Sequence, residues 1–133
     1  TKTIANQGVD ELLQPYFTVT VENGSLRHPD GDFTLNWESS TTRTWVEGVE
    51  TFFLVDDEYQ VVGSAEGVDR NGNPYTITTQ SPMEFNMVCP WIKKGRLKIS
   101  PSGKPDRFLN YGDGTCDNDA VITIGETDYN VNL

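Results

Sequence analysis

The segment from Asp113 to Asp119 contains the residue types that could bind a metal ion. It reads Asp-Gly-Thr-Cys-Asp-Asn-Asp. Calcium takes about six to eight oxygen ligands, and the side chains that could supply them here are those of Asp113, Asp117, Asn118 and Asp119. The segment lacks the spacing and the closing Glu of an EF-hand loop. Gly, Asp and Asn are also the usual residues of a tight turn, because Gly adopts positive φ and short polar side chains cap the backbone. Calcium binding and simple turn formation therefore both remain interpretations.

A catalytic centre has less support in the sequence. His28 is the single histidine and stands beside Pro29 in a predicted turn, with no nucleophile motif nearby. No glycine-rich phosphate loop is followed by a helix. The 20 acidic residues would place some carboxylate pair at a glycosidase-like separation by chance, so their abundance is no evidence for a hydrolase. We predict no catalytic residues and no enzymatic activity.

Three tryptophans are candidates for a ligand-binding surface. Trp37, Trp45 and Trp91 could stack on sugar rings, as aromatic platforms of carbohydrate-binding modules do. Aromatic residues on alternating strands also fill cores, or cover a sheet face beside a cation such as Arg43. Large apolar side chains usually lie inside, so packing is the simpler interpretation of each tryptophan.

The elements that must position these residues are strands. Short alternating segments are separated by turn residues every eight to twelve positions or so, and no helical period is sustained. This pattern predicts an all-β protein, an antiparallel β-sandwich or flattened barrel of about ten short strands. Residues 1–14 form an N-terminal arm in this prediction, in which residues 9–14 could make one helical turn before Pro15. Residues 15–133 form a single β domain.

Several strand pairings can be predicted. A tight turn at Gly125-Glu126 sets Ile124 opposite Thr127, Ile122 opposite Tyr129 and Ala120 opposite Val131. Another reversal after His28 sets Leu26 opposite Leu35.

Two more segments carry strand or turn signals. Asn71-Gly72 is a strong signal for a two-residue hairpin turn, which would set Val68 opposite Tyr75. Gly63 suggests a bend or bulge in the strand before that turn. Thr51 to Leu54 is predicted to form a short strand of its own.

Charge and composition limit the partners. The net charge of -10 would repel nucleic acids and anionic lipid surfaces. No apolar run approaches the roughly 18 residues that span a bilayer. The chain begins at Thr1, so any signal peptide or lipid-attachment Cys would lie before it. Cys89 and Cys116 would form a disulfide in an exported protein or remain two small buried apolar residues in a reducing compartment.

The C-terminal half resembles a family of exported lipoproteins of Bacteroidetes. The similarity lies in Cys89-Pro90-Trp91-Ile92, then residues 95–99, and above all in the motif Tyr-Gly-Asp-Gly-Thr-Cys-Asp-Asn at residues 111–118. Weaker similarity extends upstream through residues 42–48 and 70–72. The family has no assigned activity. Residues 1–14 do not align with it.

The resemblance implies export, a lipid anchor on an upstream Cys, and a place in the periplasm or at the outer-membrane surface. It also implies a disulfide between Cys89 and Cys116. We therefore expect an exported, non-enzymatic β domain that acts in binding or surface structure, with an unknown protein or glycan partner and contact with the membrane only through a lipid anchor. The alternative is a carbohydrate-binding module, stabilised by calcium in the loop from Asp113 to Asp119. No other cofactor is expected.

Overall fold

The computed structural model describes residues 1–133 and contains nine β-strands and no helix. Most of the strands are rich in β-branched or aromatic residues, which favour a pleated surface. The strands are β1 (Lys2–Val9), β2 (Pro15–Arg27), β3 (Thr34–Glu47), β4 (Glu58–Val68), β5 (Pro74–Asn86), β6 (Lys94–Pro101), β7 (Arg107–Asp113), β8 (Asp119–Ile124) and β9 (Thr127–Asn132).

All nine strands form one antiparallel sheet in the order of the chain, from β1 to β9. The sheet is not closed, because β1 and β9 are its two edges. The prediction of an all-β, antiparallel fold is confirmed, and a sandwich or flattened barrel describes it only broadly. Because each strand reverses direction, successive connections lie at alternate ends of the sheet. The β1–β2, β3–β4, β5–β6 and β7–β8 connections therefore share one end.

The two faces of the sheet differ in polarity. The pairing places Trp45 opposite Tyr59, and Tyr59 opposite Phe85, so these three rings form a row across β3, β4 and β5. Their ring centroids are 5.9 Å and 5.5 Å apart along the row, and both pairs are stacked. Adjacent residues on the same strands, such as Gln60 and Glu84, point to the other face, where they form a hydrogen bond of 3.2 Å. Cross-strand pairs of this kind are the main stabilising unit of a sheet.

Very few side chains are fully buried. Only four of the 133 residues are classed as buried, and they include Cys89, Ala120 and the carboxylate of Asp57. The accessible surface is 8893 Å², whereas a compact monomer of this mass exposes about 7,000 Å². No second layer covers the apolar face of the sheet, so its side chains are mostly half-buried.

Most of the predicted pairings are confirmed. Ile124, Ile122 and Ala120 pair with Thr127, Tyr129 and Val131. Leu26 pairs with Leu35. The register of β4 and β5 shifts between Val61 and Ser64, as the glycine in that strand suggested.

The predicted turn at Asn71-Gly72 is wrong by one residue. The structure pairs Val68 with Pro74, and Tyr75 with Gly67. The Asp69 N–H donates to the Asn73 carbonyl at 2.9 Å, so the loop contains three residues and ends on Gly72 with φ of 82°. A three-residue hairpin with its last residue in the left-handed region is a standard alternative to the two-residue turn.

Two predictions of secondary structure are also wrong. The N-terminal segment contains a strand, β1, paired with β2, and the Asp10 carboxylate closes a turn by accepting from the Leu12 and Gln14 N–H groups, both at 2.9 Å. No helical turn forms at residues 9–14. The segment from Thr51 to Leu54 is not a strand but part of the long β3–β4 connection. Because β1 is gained where this strand is lost, the two corrections leave the number of strands unchanged.

Position 48 requires glycine for two reasons, a positive φ and a lack of room for a Cβ atom. Gly48 has φ of 86°, and a Cβ there would meet the Asp57 carboxylate and lie 2.9 Å from the Asp56 carbonyl oxygen. Gly8 has the same φ of 86° with no atom within 4 Å of its Cβ position. It therefore provides a control for the conformational cost alone.

We predict that Gly8→Ala lowers the free energy of unfolding by about 1 to 2 kcal/mol, the usual cost of a left-handed alanine. Gly48→Ala should cost at least about 1 kcal/mol more, because the backbone around buried Asp57 must move. Urea denaturation of both variants measures the difference. Equal losses would show that the close approach at position 48 has no energetic weight.

Candidate functional site

A disulfide joins Cys89 and Cys116, as the resemblance implied. Cys89 lies in the β5–β6 connection and Cys116 in the β7–β8 connection, and their Cα atoms are 5.8 Å apart. The Cys89 N–H donates to the Asn86 side-chain oxygen at 2.9 Å, which fixes the start of the connection. The bond therefore links two connections at the same end of the sheet.

The acidic loop beside Cys116 uses its side chains to hold its own backbone. Asp113 accepts hydrogen bonds from the Thr115 hydroxyl at 2.8 Å and the Thr115 N–H at 3.1 Å. These two bonds, the hydroxyl bond first, lower the pKa of Asp113. Asp117 accepts from the Asp119 N–H at 3.1 Å, and Asp119 accepts from the Asn132 side chain at 2.8 Å. Asn118 donates to the carbonyl of the last residue.

These loop carboxylates do not converge on one point. The only three metal-capable side chains with ligand atoms within 4.8 Å of one another are His28, Asp30 and Asp32, in the β2–β3 turn. His28 stacks on Phe33 with ring centroids 5.0 Å apart, and its Nδ1 accepts from the Asp30 N–H at 3.4 Å. Asp30 and Asp32 are exposed. The three side chains thus belong to an exposed turn, and the bond between Asp30 and His28 helps to hold that turn.

The three tryptophans are not brought together. The Trp37 ring lies over Gly24, where a Cβ would be 2.7 Å from the Cε2 atom of Trp37. Trp45 lies eight residues further along β3, roughly 25 Å away at the usual strand rise, and its buried Nε1 has no hydrogen-bond partner. Trp91 lies in the β5–β6 connection and is 37% exposed. They form no shared platform.

A groove lies beside Trp37. Tyr75 reaches across Gly67, where a Cβ would be 2.7 Å from the Tyr75 hydroxyl. The groove has a volume of about 530 Å³, and its lining residues include Glu38 and Glu66. An aromatic side chain beside hydrogen-bonding groups is the kind of surface that binds sugars.

The end of the sheet that carries the disulfide is unusually apolar. We call the β1–β2, β3–β4, β5–β6 and β7–β8 connections (residues 10–14, 48–57, 87–93 and 114–118) the apolar loop end. Phe52 is fully exposed and Phe53 is 72% exposed. The opposite connections, at residues 28–33, 69–73, 102–106 and 125–126, contain no exposed large apolar side chain. Besides Phe52 and Phe53, the exposed large apolar side chains at the apolar loop end are Leu12, Leu13, Val49, Leu54, Val55, Met87, Val88 and Trp91.

The same end is acidic. Its connections contain Asp10, Glu11, Glu50, Asp56, Asp57 and Asp117. Lys93 is the one basic residue in these connections, and it forms an ion pair of 2.6 Å with Glu58. Apolar side chains at this end are therefore surrounded by unpaired negative charge.

A small apolar cavity lies under the β5–β6 connection. Its volume is about 340 Å³ and its lining residues are Arg43, Val61, Met83, Phe85, Cys89, Pro90, Trp91 and Ile92. The Arg43 guanidinium carbon is 5.0 Å from the centroid of the Phe85 ring. Tyr59 lies nearby. Its pKa is raised mainly by burial and next by the charge of Asp57, whereas the charge of Arg43 lowers it.

Sequence reasoning missed the apolar loop end and the cavity. Four consecutive apolar residues, Phe52 to Val55, stand between Gly48 and two aspartates. Apolar and polar residues alternate along a half-buried strand, so the lack of alternation in this segment was a signal for an exposed loop. A cation–π contact between Arg43 and a tryptophan was one interpretation of the sequence, and the structure places Arg43 over Phe85.

Comparisons with protein-family models, with curated proteins and with solved structures found no match. The structure has no helix long and apolar enough to cross a membrane. The residues of the chain itself are therefore what can support a function.

We predict that Cys89→Ser and Cys116→Ser each lower the free energy of unfolding by about 3 to 4 kcal/mol, the chain-entropy value for a crosslink across 27 residues. The double variant should cost no more than either single one, because one bond is lost in each. Denaturation in urea with and without reductant measures this. A reductant effect that persists in the double variant would contradict it.

Proposed function

We propose that this chain is a non-enzymatic binding domain that attaches to another protein through its apolar loop end. The observation that carries the proposal is the concentration of exposed apolar side chains at one end of the sheet and their absence from the turns at the other. Single exposed apolar residues are normal, but contiguous patches mark interaction surfaces. Phe52 and Phe53 are the anchors, because exposed aromatic side chains dominate the energetics of interfaces.

The loop that carries these anchors has a defined shape. The Thr51 hydroxyl donates to the Asp56 carboxylate at 2.9 Å, and the Thr51 N–H donates to the Gly48 carbonyl at 3.1 Å. Buried Asp57 closes the loop against Gly48 and accepts from the Tyr59 hydroxyl at 3.4 Å. These hydrogen bonds thus hold the backbone of the loop while its apolar side chains stay exposed. A preformed loop loses less entropy on binding than a flexible one.

Charge favours a protein partner over a lipid surface. Apolar side chains surrounded by Glu50, Asp56 and Asp10 would be repelled by anionic headgroups. An apolar pocket with lysine or arginine at its rim would complement them. The partner we propose is therefore a protein with such a basic-rimmed apolar pocket.

The surface area supports the presence of a partner. The chain exposes 8893 Å², about 1,900 Å² more than the roughly 7,000 Å² of a compact monomer. One side of a standard interface buries about 800 Å². Covering the apolar loop end alone would remove a large part of this excess.

We further propose that the domain is exported and held at the cell envelope by a lipid anchor. The disulfide supports an oxidising compartment, because such bonds are rare in the cytosol. Resemblance to exported lipoproteins in the motif from Tyr111 to Asn118 supports the anchor. In this arrangement the domain contacts the membrane through the anchor, while the apolar loop end engages the partner.

Site-specific photo-crosslinking tests the proposal. A photoreactive phenylalanine would replace Phe52, and in a control protein it would replace Asn71 in the polar turn at the opposite end. Both proteins would be produced in the source cells and irradiated. We expect the probe at position 52 to form one discrete protein adduct whose yield falls several-fold when salt screens the charges, and the probe at position 71 to form none.

Three results would contradict the proposal. Equal labelling from positions 52 and 71 would mean that the apolar loop end has no special role. Adducts with lipid alone would make it a membrane contact, and adducts with a second copy of the chain would make it a dimer interface.

A second candidate function is carbohydrate binding, which the groove beside Trp37 favours. Trp37 and Tyr75 line the groove together with the polar residues Asn36, Glu38 and Glu66. The site differs from a platform of three tryptophans, because only Trp37 belongs to it.

Calorimetric titration with a panel of oligosaccharides tests this second function. If the groove binds a sugar, Glu66→Gln should weaken binding at least about tenfold, since hydrogen bonds to charged groups contribute roughly 1.5 to 3 kcal/mol. The control is Glu84→Gln, a carboxylate on the same sheet but outside the groove. No binding by any sugar, or equal loss in both variants, would remove the groove from consideration.

A further inference from the structure

The cavity under the β5–β6 connection has the construction of a small-molecule site. Its volume of about 340 Å³ is at the lower end of the range for ligand pockets, about 300 to 1,000 Å³. Its floor is the apolar face of the sheet, where Val61 pairs with Met83. Its roof is the segment Cys89 to Ile92, which the disulfide attaches to the β7–β8 connection. The walls are therefore held from two sides before any ligand binds.

One charged side chain lines this apolar cavity. Arg43 pairs with Val61 in the sheet, so the two side chains and Met83 form a row across three strands. The four ion pairs of the structure do not include Arg43. Its guanidinium lies against the Phe85 ring instead, 5.0 Å from the centroid. A guanidinium without a carboxylate partner at the mouth of an apolar cavity is complementary to a carboxylate with an apolar tail.

None of the charged groups near Arg43 forms an ion pair with it. Asp57 is buried, and its carboxylate accepts from the Tyr59 hydroxyl at 3.4 Å. Glu58 is paired with Lys93 at 2.6 Å. Glu84 accepts from Gln60 and points to the opposite face from Phe85. In a chain of net charge -10, Arg43 is thus the one charged residue that lines this cavity, and it is a cation.

We propose that this cavity binds a small amphipathic monocarboxylate, a molecule with one carboxylate group and a compact apolar body. The apolar body lies on Val61, Met83 and Phe85 beneath Trp91, and the carboxylate pairs with the Arg43 guanidinium. Arg43 determines which head group is accepted, because its planar donors match a carboxylate and repel an ammonium group. The apolar residues contribute affinity without head-group preference.

Three probes of equal chain length separate these contributions. Octanoate, octanol and octylammonium would be titrated into the intact disulfide-bonded protein, with amide and indole chemical shifts recorded by NMR. We expect shifts at residues 89–92 and at the Trp91 indole N–H. Octanoate should bind at least about fivefold more tightly than octanol, which corresponds to the upper value for an exposed ion pair, and octylammonium should bind weakest.

Matched arginine variants test the role of the guanidinium. Arg43→Gln should bring octanoate and octanol within about twofold of each other, and Arg43→Lys should retain the order of the three probes. Arg96→Gln is the control, because Arg96 also lies over a phenylalanine, 4.6 Å from the Phe108 centroid, but outside the cavity. It should leave all three affinities unchanged.

The proposal is overturned by any of three results. These are octanol binding as tightly as octanoate, Arg43→Gln leaving the preference for octanoate intact, and octanoate producing no shifts at residues 89–92. Trp91→Ala provides a check on the roof, and it should weaken octanoate and octanol by the same factor. An effect of Trp91→Ala on octanoate alone would also count against the assigned geometry.

Discussion

Each strand of this protein is held only by the strands before and after it in the chain. The sheet order from β1 to β9 is the order of synthesis, and no second layer covers either face. Stability must therefore come from cross-strand pairs within one sheet. The stacked row of Trp45, Tyr59 and Phe85 is the largest aromatic example. A chain built in this way has many half-buried side chains and almost no fully buried ones.

The sequential order also separates the two ends of the sheet. Because connections alternate between ends, a sequence can make all the connections at one end polar and all those at the other end apolar. The turn at residues 69–73 is short, and the Asp69 carboxylate accepts from the Asn71 and Asn73 N–H groups at 2.8 and 2.9 Å. The β3–β4 connection is longer and exposes Phe52 to Val55. Short turns would have sufficed to reverse the chain at both ends, so the sheet itself does not require the longer connection.

The sequence was informative wherever local chemistry decides the outcome. The strand period of two and the Gly125 turn were enough to predict the pairing of β8 with β9, because both signals lie within a few residues. At Asn71-Gly72 two hairpin loops compete, and the bonds of Asp69 favour the longer one. Strand β1 was missed because its pattern is weak and it forms an edge, where half of each residue's environment is solvent. Its partner strand, not its own sequence, fixes its conformation.

Candidate sites were less predictable, because they depend on contacts between residues distant in sequence. Acidic residues of the loop after Asp113 suggested calcium, and the structure adds that they accept hydrogen bonds from Thr115, Asp119 and Asn132, which the sequence does not indicate. Nothing local indicates that Arg43 and Phe85, 42 positions apart in the numbering, lie in contact across β4. That proximity follows only once the register of β3, β4 and β5 is known.

The disulfide connects the two surfaces to which we assign roles. Cys89 separates Met87 and Val88, which are exposed at the apolar loop end, from Trp91 and Ile92, which line the cavity. The covalent bond to Cys116 fixes this short connection at its middle, so one anchor positions both the exposed residues before it and the cavity residues after it. The two surfaces differ in sign, since the loop end is acidic and the cavity mouth carries Arg43, and for this reason they would not compete for the same ligand.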